Sequence, residues 1–327
     1  MPRLLYRLSS LQHNLRVVRD ACHEAGTDCM FVLKEAALHP QLTAAIVKGS
    51  GITQMGLLSW PELPLPRFPG ITLHHIYEPS PRFFSTLSDY SSVCLSSRFV
   101  LHELRKQYTD QPPALRLCLE CGDGRDGILG EELSDFCSEC HDLRFHVDGL
   151  LVNFACLSKN APDVDTLNKA TKALAVVRQF WPFADISAGG TDMLEFAEQY
   201  RIPEDITEIR CGTGVMLGVY PLSGRQIPGA LLDTFELEGC LLEKRQKHGR
   251  ILALFDFGSY HTAPEKLHAP FEGMQYQGSS SAYSVFDISD CDADMHEGQS
   301  LRFRLRHESI SRALTSRALP LCEADHA

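Results

Sequence analysis

Four cysteines in the middle of the chain have the spacing of metal ligands. They form two CxxC pairs, Cys118/Cys121 and Cys137/Cys140, and such pairs are typical of structural zinc sites. A zinc knuckle also needs a tight, glycine-containing turn within each pair, and neither pair has one. The stretch LRLCLEC instead predicts a strand, and GEELSDFCSECHDL predicts a helix. We therefore expect reduced, buried thiols and no metal, with zinc as the alternative.

Lys34 is a second residue with chemical potential. It directly follows the apolar run CMFVL, residues 29–33, at the position where a barrel strand delivers a side chain to its carboxyl end. Burial there would lower the pKa of the amine, which suits Schiff-base chemistry with an aldehyde cofactor. The alternative is a solvated lysine that opens a loop.

Two glycine-rich segments predict a phosphate site. The segment ISAGGTDMLEF (186–196) runs through Gly189 and Gly190 into a helix that begins near Thr191, and RCGTGVMLG (210–218) repeats the arrangement. Backbone N–H groups at such a helix start can bind phosphate, and late loops of a barrel usually do so. Together the segments favour a phosphate-bearing ligand, although a Gly–Gly turn also simply joins a strand to a helix.

Arg125 lies in a third polar loop, GDGRDG (122–127). At the end of a strand, its fork of donors could hold a carboxylate or a phenolate. The alternative is a surface turn in which Arg125 and Asp126 are both solvated.

Eight short apolar runs predict the strands that position these residues, and most are separated by segments of helical periodicity. The runs are 29–33, 54–58, 71–77, 92–95, 115–121, 144–152, 185–188 and 207–210. This order predicts a (β/α)8 TIM-type barrel over residues 9–224. Beyond it, Gly and Ser punctuate short alternating runs, which predicts a smaller C-terminal β domain over residues 225–327, joined by residues 1–8.

Composition excludes several classes of protein. The chain has 327 residues and a formal net charge of −11, which argues against nucleic-acid and anionic-membrane partners because both need a basic surface. The sequence contains no uninterrupted run of 18 apolar residues, so it predicts no membrane-spanning helix. The first twenty residues lack the apolar core and cleavage site of a secretory signal, so we expect a cytoplasmic protein.

The order of these features resembles the alanine-racemase-like, fold-type III pyridoxal-phosphate enzymes. A lysine after strand one, G-x-x-R-x-G after strand five, a Gly–Gly loop and Arg-x-Gly after strand eight follow one another as they do there. Within that superfamily, the sequence of these segments is most similar to the ornithine-racemase-like branch. Matching segments include VLKEAALHPQLTAAIVKGSG, LECGDGRDGIL, ISAGGTDMLEF, IPEDITEIRCGTGVMLG and QGSSSAYSVFDIS.

The resemblance implies a cofactor, pyridoxal 5′-phosphate, and a role for each candidate. Lys34 would form the imine with the cofactor and exchange a proton on one face of the substrate Cα. Arg210 would face the pyridine nitrogen, and Arg125 would lie near the cofactor phenolate or the substrate carboxylate. Asn153 stands where alanine racemases have a histidine beside the ring. The implied phosphate ligands are Gly189, Gly190, Thr191, Gly212 and Thr213.

Racemisation needs a second acid/base on the opposite face of the substrate. In the alanine racemases this is a tyrosine from the β domain of the other subunit, so the resemblance implies a head-to-tail homodimer. The matching strand, ALFDFGSYHTAP, offers Tyr260, and SSSAYSV offers Tyr283 as the second candidate. Either tyrosine could simply pack or cap a strand. Leu38 stands near the place of a family tyrosine that reaches the phosphate, so strict alanine specificity is not expected.

The function implied is that of an amino-acid racemase or epimerase whose small-molecule substrate is an amino acid of unspecified side chain. One alternative is a D-amino-acid aldolase or dehydratase on the same fold, which would need a metal site in the β domain; His261, His268 and Cys291 are possible ligands. The other is a non-catalytic pyridoxal-phosphate carrier. Carriers resemble the barrel alone, whereas this chain continues for about a hundred residues beyond it.

Overall fold

The computed structural model describes residues 1–35, 37–60, 63–247 and 249–324. The strands found there are β1 (Arg3–Tyr6), β2 (Asp28–Val32), β3 (Gln54–Leu57), β4 (Thr72–His75), β5 (Ser92–Leu95), β6 (Ala114–Leu119), β7 (Val147–Asn153), β8 (Asp185–Gly189), β9 (Ile206–Cys211), β10 (Phe235–Lys247), β11 (Arg250–Phe255), β12 (Leu267–His268), β13 (Gln275–Ser279), β14 (Ser284–Asp287), β15 (Ser300–Leu305) and β16 (Leu321–Glu323).

The same residues contain eight α-helices and two 3₁₀ helices. The α-helices are α1 (Leu8–Glu24), α2 (Pro40–Val47), α3 (Arg98–Gln107), α4 (Leu133–Asp142), α5 (Val164–Val177), α6 (Asp192–Ala197), α7 (Thr213–Leu217) and α8 (His307–Thr315). The 3₁₀ helices span Pro81–Asp89 and Pro264–Lys266.

Strands β2 to β9 close into a parallel barrel in chain order. Each corresponds to one of the eight apolar runs, so the predicted (β/α)8 barrel is confirmed. These strands are predominantly apolar because a parallel sheet covered by helices is buried on both faces. Several boundaries differ by one to three residues, and β6, for example, ends at Leu119, before Cys121. The Glu120 carboxylate accepts hydrogen bonds from the N–H groups of Gly122 and Gly124, which turns the chain away from the sheet.

Side chains of alternate residues fill the interior of the barrel. Met30, Cys94, Cys118 and Leu151 pack in one cluster with Ile76, although they come from strands that are not all neighbours. Such contacts are possible only across the inside of the barrel. The residues that alternate with them therefore point outward to the helices.

Helix α1 follows the amphipathic pattern of a helix packed on one side. Leu11, Leu15, Val18 and Cys22 recur at spacings of four, three and four residues and are fully buried. This apolar stripe explains why the segment forms a helix that covers its neighbours.

The remaining strands form a second sheet with the order β12-β15-β10-β11-β14-β13, and β1 joins it by pairing with β10. Its pairings are antiparallel except that of β1 with β16. Four phenylalanines form its core. The ring centroid of Phe303 lies 5.2 Å from that of Phe255 and 5.0 Å from that of Phe257, and the ring centroid of Phe286 lies 5.6 Å from that of Phe255. The predicted smaller β domain is therefore confirmed as part of the fold class.

By its contacts the chain divides into two compact units. One consists of residues 14–215 and 219–230, which include the barrel. The other consists of residues 1–13, 216–218 and the described chain from Leu231 onward, which include the second sheet. No helix in the described part of the chain is long and apolar enough to cross a bilayer.

Candidate functional site

Lys34 lies at the carboxyl end of β2, where its backbone is fixed by a side chain from another loop. The indole Nε1 of Trp60 donates a hydrogen bond of 2.7 Å to the carbonyl oxygen of Lys34. The preceding residue, Leu33, donates its N–H to the carbonyl of Gly56 on β3. The lysine is therefore an ordered part of the barrel rim, and its side chain extends over the ring of Tyr77, with Nζ 5.3 Å from the ring centroid.

Tyr77 is a residue that the sequence analysis did not single out. Its ring contacts two cations, because the guanidinium carbon of Arg125 lies 5.6 Å from the same centroid. The Nδ1 atom of His75 is 2.9 Å from the Tyr77 carbonyl. The signal was present in the sequence: Tyr77 ends the run ITLHHIY, so it belongs to the carboxyl end of a barrel strand, as Lys34 does.

The charge on Lys34 differs from the sequence-based expectation. Burial acts to lower the pKa of its amine, but the Tyr77 hydroxyl and the Glu35 carboxylate outweigh burial, so the pKa is raised. The predicted lowering of the pKa was therefore wrong, because neighbours that favour the ammonium form lie against it.

Glu78 anchors the segment that carries Tyr77. One carboxylate oxygen accepts hydrogen bonds from the Ser96 N–H at 2.6 Å and the Ser96 hydroxyl at 2.9 Å, and the other accepts from the Ser97 N–H at 3.2 Å. Burial raises the pKa of this carboxyl group, while the three hydrogen bonds oppose the rise. The carboxyl ends of β4 and β5 are thereby tied together.

Arg125 is partly buried rather than solvated on a surface turn. Its Nε donates a hydrogen bond of 2.9 Å to Asp126, and the guanidinium covers Tyr77. Burial acts to lower the pKa of Arg125, but Asp126 and Cys156 outweigh it and the pKa is raised. The structure thus brings Arg125 and Lys34 against the same aromatic ring.

Arg210 is 4% exposed and its guanidinium is held by four hydrogen bonds. Nη1 donates to the Ser187 carbonyl at 2.5 Å and to its hydroxyl at 2.9 Å. Nη2 donates to the Val152 carbonyl at 2.7 Å and to Asn153 Oδ1 at 2.8 Å. All four bonds use the terminal nitrogens and none engages Nε. Burial lowers the pKa of Arg210, and the Glu208 carboxylate opposes this.

Gly189 is required by this arrangement. A Cβ atom on Gly189 would stand 2.3 Å from Arg210 Nη2 and 2.8 Å from Asn153 Oδ1. No side chain fits there unless the guanidinium moves. The structure therefore brings together three of the predicted residues, Gly189, Asn153 and Arg210, at the carboxyl ends of β7, β8 and β9.

The two predicted phosphate loops are joined directly. The Thr191 hydroxyl accepts a hydrogen bond of 3.1 Å from the N–H of Gly214, so the loop after β8 is fixed to the loop after β9. In the second loop, a Cβ on Gly212 would lie 2.9 Å from the Val32 carbonyl. Thr213 begins α7. Gly190 lies between Gly189 and Thr191 in the first loop.

A buried polar layer lies beneath Arg210 in the barrel. Arg116 on β6 donates a hydrogen bond of 2.7 Å to Asp185 on β8, and the Ser187 hydroxyl donates to Glu208 at 2.5 Å. His74 Nδ1 is 2.8 Å from the Ser92 hydroxyl, and burial, helped by Arg116, lowers the pKa of His74 to about 4. This charged layer within a strand-rich core was not anticipated from the sequence.

The two candidate second bases lie in the unit that contains the second sheet. Tyr260 is 69% exposed and Tyr283 is 48% exposed. Tyr260 donates its N–H to the Ser281 carbonyl, and Tyr283 accepts at its carbonyl from the Ser280 N–H. The two tyrosines therefore occupy adjoining loops, and their role stays a prediction.

Three of the four cysteines of the opening pairs lie where their segments predict, whereas Cys121 lies beyond the end of β6. Cys118 is on β6 and is buried in the barrel, Cys137 and Cys140 are buried on α4, and Cys121 is partly exposed. Burial raises the pKa of Cys137 to about 12. Within the described ranges, no three of these four thiols form a group of ligand atoms within 4.8 Å, and neither do His261, His268 and Cys291.

Two curated relatives match this chain. An ornithine racemase from Acetoanaerobium sticklandii is 23% identical over 226 residues, which is 61% of this chain and 64% of the relative. The match thus spans less than two thirds of the length of that relative. A lysine racemase from Thermotoga maritima is 22% identical over 347 aligned positions and covers 96% of both chains.

Solved structures with the same fold include enzymes of two kinds. Alanine racemase from Bartonella henselae, solved with covalently bound pyridoxal phosphate, has a TM-score of 0.67 at 15% identity, covering 98% of this chain and 94% of that one. D-threo-3-hydroxyaspartate dehydratase from Delftia sp. HT23 has a TM-score of 0.75 at 13% identity, covering 99% and 95%. At these identities the likeness shows the fold.

The family model described as "Alanine racemase, N-terminal domain" matches residues 6–221, which include the whole barrel and every candidate residue described on its rim. The chain therefore belongs to the alanine racemase N-terminal domain family.

Proposed function

We propose that this protein is an amino-acid racemase that uses pyridoxal 5′-phosphate bound at the carboxyl ends of the barrel strands. The observation that carries the proposal is the position of Lys34: its amine lies at this rim, against Tyr77 and beside Arg125, in a chain of the alanine racemase family. Carboxyl ends of barrel strands are where catalytic residues of this architecture lie.

The rim residues fit this cofactor chemically. Lys34 offers an amine for the aldehyde. Arg210 keeps its Nε outside its four hydrogen bonds and offers a fixed cation for the ring nitrogen. The loops after β8 and β9 contain Gly189, Gly190 and Gly212 and are joined by the hydrogen bond between Gly214 and Thr191, so their backbone N–H groups can bind one phosphate without intervening side chains.

When bound, the cofactor would supply delocalisation of the negative charge left by removal of the substrate Cα proton. Lys34 would hold and return that proton on one face. The Tyr77 hydroxyl and the Glu35 carboxylate favour the ammonium form of Lys34. This form suits the step in which Lys34 donates a proton to the substrate Cα. Arg210, a permanent cation, would disfavour protonation of the ring nitrogen.

Tyr260 would serve the opposite face, with Tyr283 as the alternative. Two observations support Tyr260. Its side chain is accessible, since 69% of the residue is exposed in the described chain, and it stands at the position implied by the family resemblance. We propose that residues 225–327, with residues 1–8, complete the site of a second subunit, whose cofactor is bound by residues 9–224. The active form would be a head-to-tail homodimer in the cytoplasm.

Amino acids with a cationic side chain are the proposed substrates. The two curated relatives bear the names ornithine racemase and lysine racemase, and Leu38 replaces the tyrosine expected of an alanine-specific enzyme. Ornithine and lysine are therefore the first substrates to test, with alanine as the comparison.

Deuterium exchange tests the reaction. The purified protein, supplied with pyridoxal 5′-phosphate, is incubated in heavy water with L-ornithine, L-lysine or L-alanine, and Cα–H loss is followed by NMR while chiral chromatography measures the D-isomer. We expect exchange and D-isomer with a basic amino acid, and neither with Lys34→Ala. No exchange with any amino acid would overturn the enzymatic proposal in favour of a carrier, and release of ammonia and an oxo acid would favour a dehydratase.

A further inference from the structure

Three buried cysteines outside the candidate site lie together between α1 and the barrel wall. Cys22 is on α1, Cys29 is on β2 and Cys211 is the last residue of β9. Their sulfur atoms all lie within 4.8 Å of one another, and those of Cys22 and Cys211 are 4.0 Å apart. All three are free thiols, with 4% or less of each residue exposed.

The fold itself produces this group. Strands β2 and β9 are neighbours in the barrel, with Phe31 opposite Cys211 and Cys29 opposite Ile209. Arg210 and Met30 point into the barrel, so the residues next to them, Cys211 and Cys29, point outward. The apolar stripe of α1 covers this outer surface and brings the Cys22 thiol onto the same point.

We propose that Cys22, Cys29 and Cys211 bind one Cu(I) ion as a three-coordinate thiolate site. A first-row metal–thiolate bond is about 2.3 Å long, and three such bonds at 120° in a plane place the sulfur atoms about 4.0 Å apart. Cys22 and Cys211 already have this separation. A disulfide would need the same two sulfur atoms to approach to about 2.05 Å.

The character of the ligands selects the ion. Thiolates are soft ligands that prefer Cu(I) and Zn²⁺ to harder cations. Structural Zn²⁺ almost always takes four ligands, whereas this group contains three cysteines and no His, Asp, Glu or fourth Cys within the described residues. The ligands are deprotonated thiols, so binding of Cu(I) displaces the thiol protons of all three cysteines, which leave to solvent.

Competition with a chromogenic Cu(I) chelator tests the site on the full-length chain under anaerobic, reducing conditions. We expect one Cu(I) per chain to be withheld from the chelator. Cys22→Ser, Cys29→Ser and Cys211→Ser should each weaken binding at least about tenfold, since the loss of even a hydrogen-bonded partner of a ligand costs that much. The matched control is Cys140→Ser, which removes a buried thiol of α4 and should leave Cu(I) affinity unchanged.

X-ray absorption of the wild-type complex gives a readout that does not depend on how the variants fold. We expect three sulfur neighbours at about 2.3 Å from copper. Failure of the wild type to retain Cu(I), two sulfur neighbours instead of three, or an equal loss in Cys140→Ser would overturn the proposal. None of these outcomes involves pyridoxal phosphate, so they are independent of the proposed racemase function.

Discussion

At the residue scale, Tyr77 connects the two cations of the candidate site. Its ring lies under the Lys34 amine and the Arg125 guanidinium, and its hydroxyl raises the pKa of Lys34 against the effect of burial. The charge of Lys34 therefore depends on Tyr77, a neighbour that is distant in the sequence. The rim positions of Lys34, Arg125 and Arg210 were predictable from their motifs. The rim position of Tyr77 could be read from the run that it ends, but its contact with both cations emerges only when strands β2, β4 and β6 meet at one rim.

The Tyr77→Phe substitution tests this electrostatic coupling. Removing the hydroxyl removes a favourable partner of the ammonium group, so we expect the pKa of Lys34 to fall. The pH dependence of Lys34 modification by an amine-directed reagent, followed by peptide mass spectrometry on the cofactor-free chain, measures that pKa. Tyr276→Phe, which removes a hydroxyl from the other unit, is the control. An unchanged or higher pKa for Lys34 in Tyr77→Phe would contradict the role given to Tyr77.

Gly189 tests the packing around Arg210. Alanine at this position places a methyl group 2.3 Å from Arg210 Nη2, so we expect the free energy of unfolding to fall by about 1–3 kcal/mol, as overpacking does, and pyridoxal phosphate to be retained less well. Thermal unfolding and cofactor content are the measurements. Gly130→Ala is the matched control, since a Cβ there meets no atom within 4 Å. Equal melting temperatures for the two variants would contradict the tight packing of Gly189 against Arg210.

At the scale of elements, the barrel strands were the most predictable part of the molecule. Each strand is a short, mostly apolar run because both of its faces are buried. The intervening helices are recognisable because their apolar residues recur every three to four positions. Alternation could not reveal the polar layer of Arg116, Asp185 and Glu208, because charged residues in a strand ordinarily indicate a solvent-facing side. Only the closure of the barrel makes them mutual partners.

The buried histidines of β4 make stability depend on pH. Burial lowers the pKa of His74 and of His75 to about 4, from an ordinary value of 6.5, so below pH 6.5 the unfolded chain binds protons that the folded chain does not. Stability from these groups is complete above that pH and is lost progressively down to about pH 4. Between pH 7 and pH 5 we expect each histidine to cost about 2 kcal/mol of unfolding free energy.

Urea unfolding of His74→Gln at pH 7 and pH 5 checks the predicted pH dependence of the unfolding free energy. The loss of stability between the two pH values should be smaller than in the wild type by about 2 kcal/mol. His23→Gln, which removes a histidine with a half-exposed side chain, should behave as the wild type does. The interpretation fails if His74→Gln loses as much stability at pH 5 as the wild type.

At the scale of the whole molecule, the chain has a barrel unit with the lysine and a second unit with the candidate tyrosines. The sequence predicted the fold class because matching segments run through nearly the whole chain. It left open which tyrosine would complete the proposed site, because Tyr260 and Tyr283 occupy adjoining loops and sequence spacing does not distinguish them.

Mixing two inactive variants tests the proposed head-to-tail dimer. If each active site takes Lys34 from one subunit and Tyr260 from the other, a mixed dimer of Lys34→Ala and Tyr260→Phe contains one intact site and one doubly altered site. Random exchange of equal amounts should then restore racemase activity to about a quarter of the wild-type value. Activity that stays at the level of the separate variants would contradict a site shared between subunits, or would point to Tyr283 if Tyr283→Phe complements instead.

The attachment of pyridoxal phosphate to Lys34 is the claim on which the functional account rests. Borohydride reduction of the protein after incubation with pyridoxal 5′-phosphate fixes the cofactor irreversibly on the lysine that holds it, and peptide mass spectrometry identifies that lysine. We predict a single modified residue, Lys34, at about one cofactor per chain, and no stoichiometric labelling in Lys34→Ala. Labelling of a different lysine, or of none, would contradict the account.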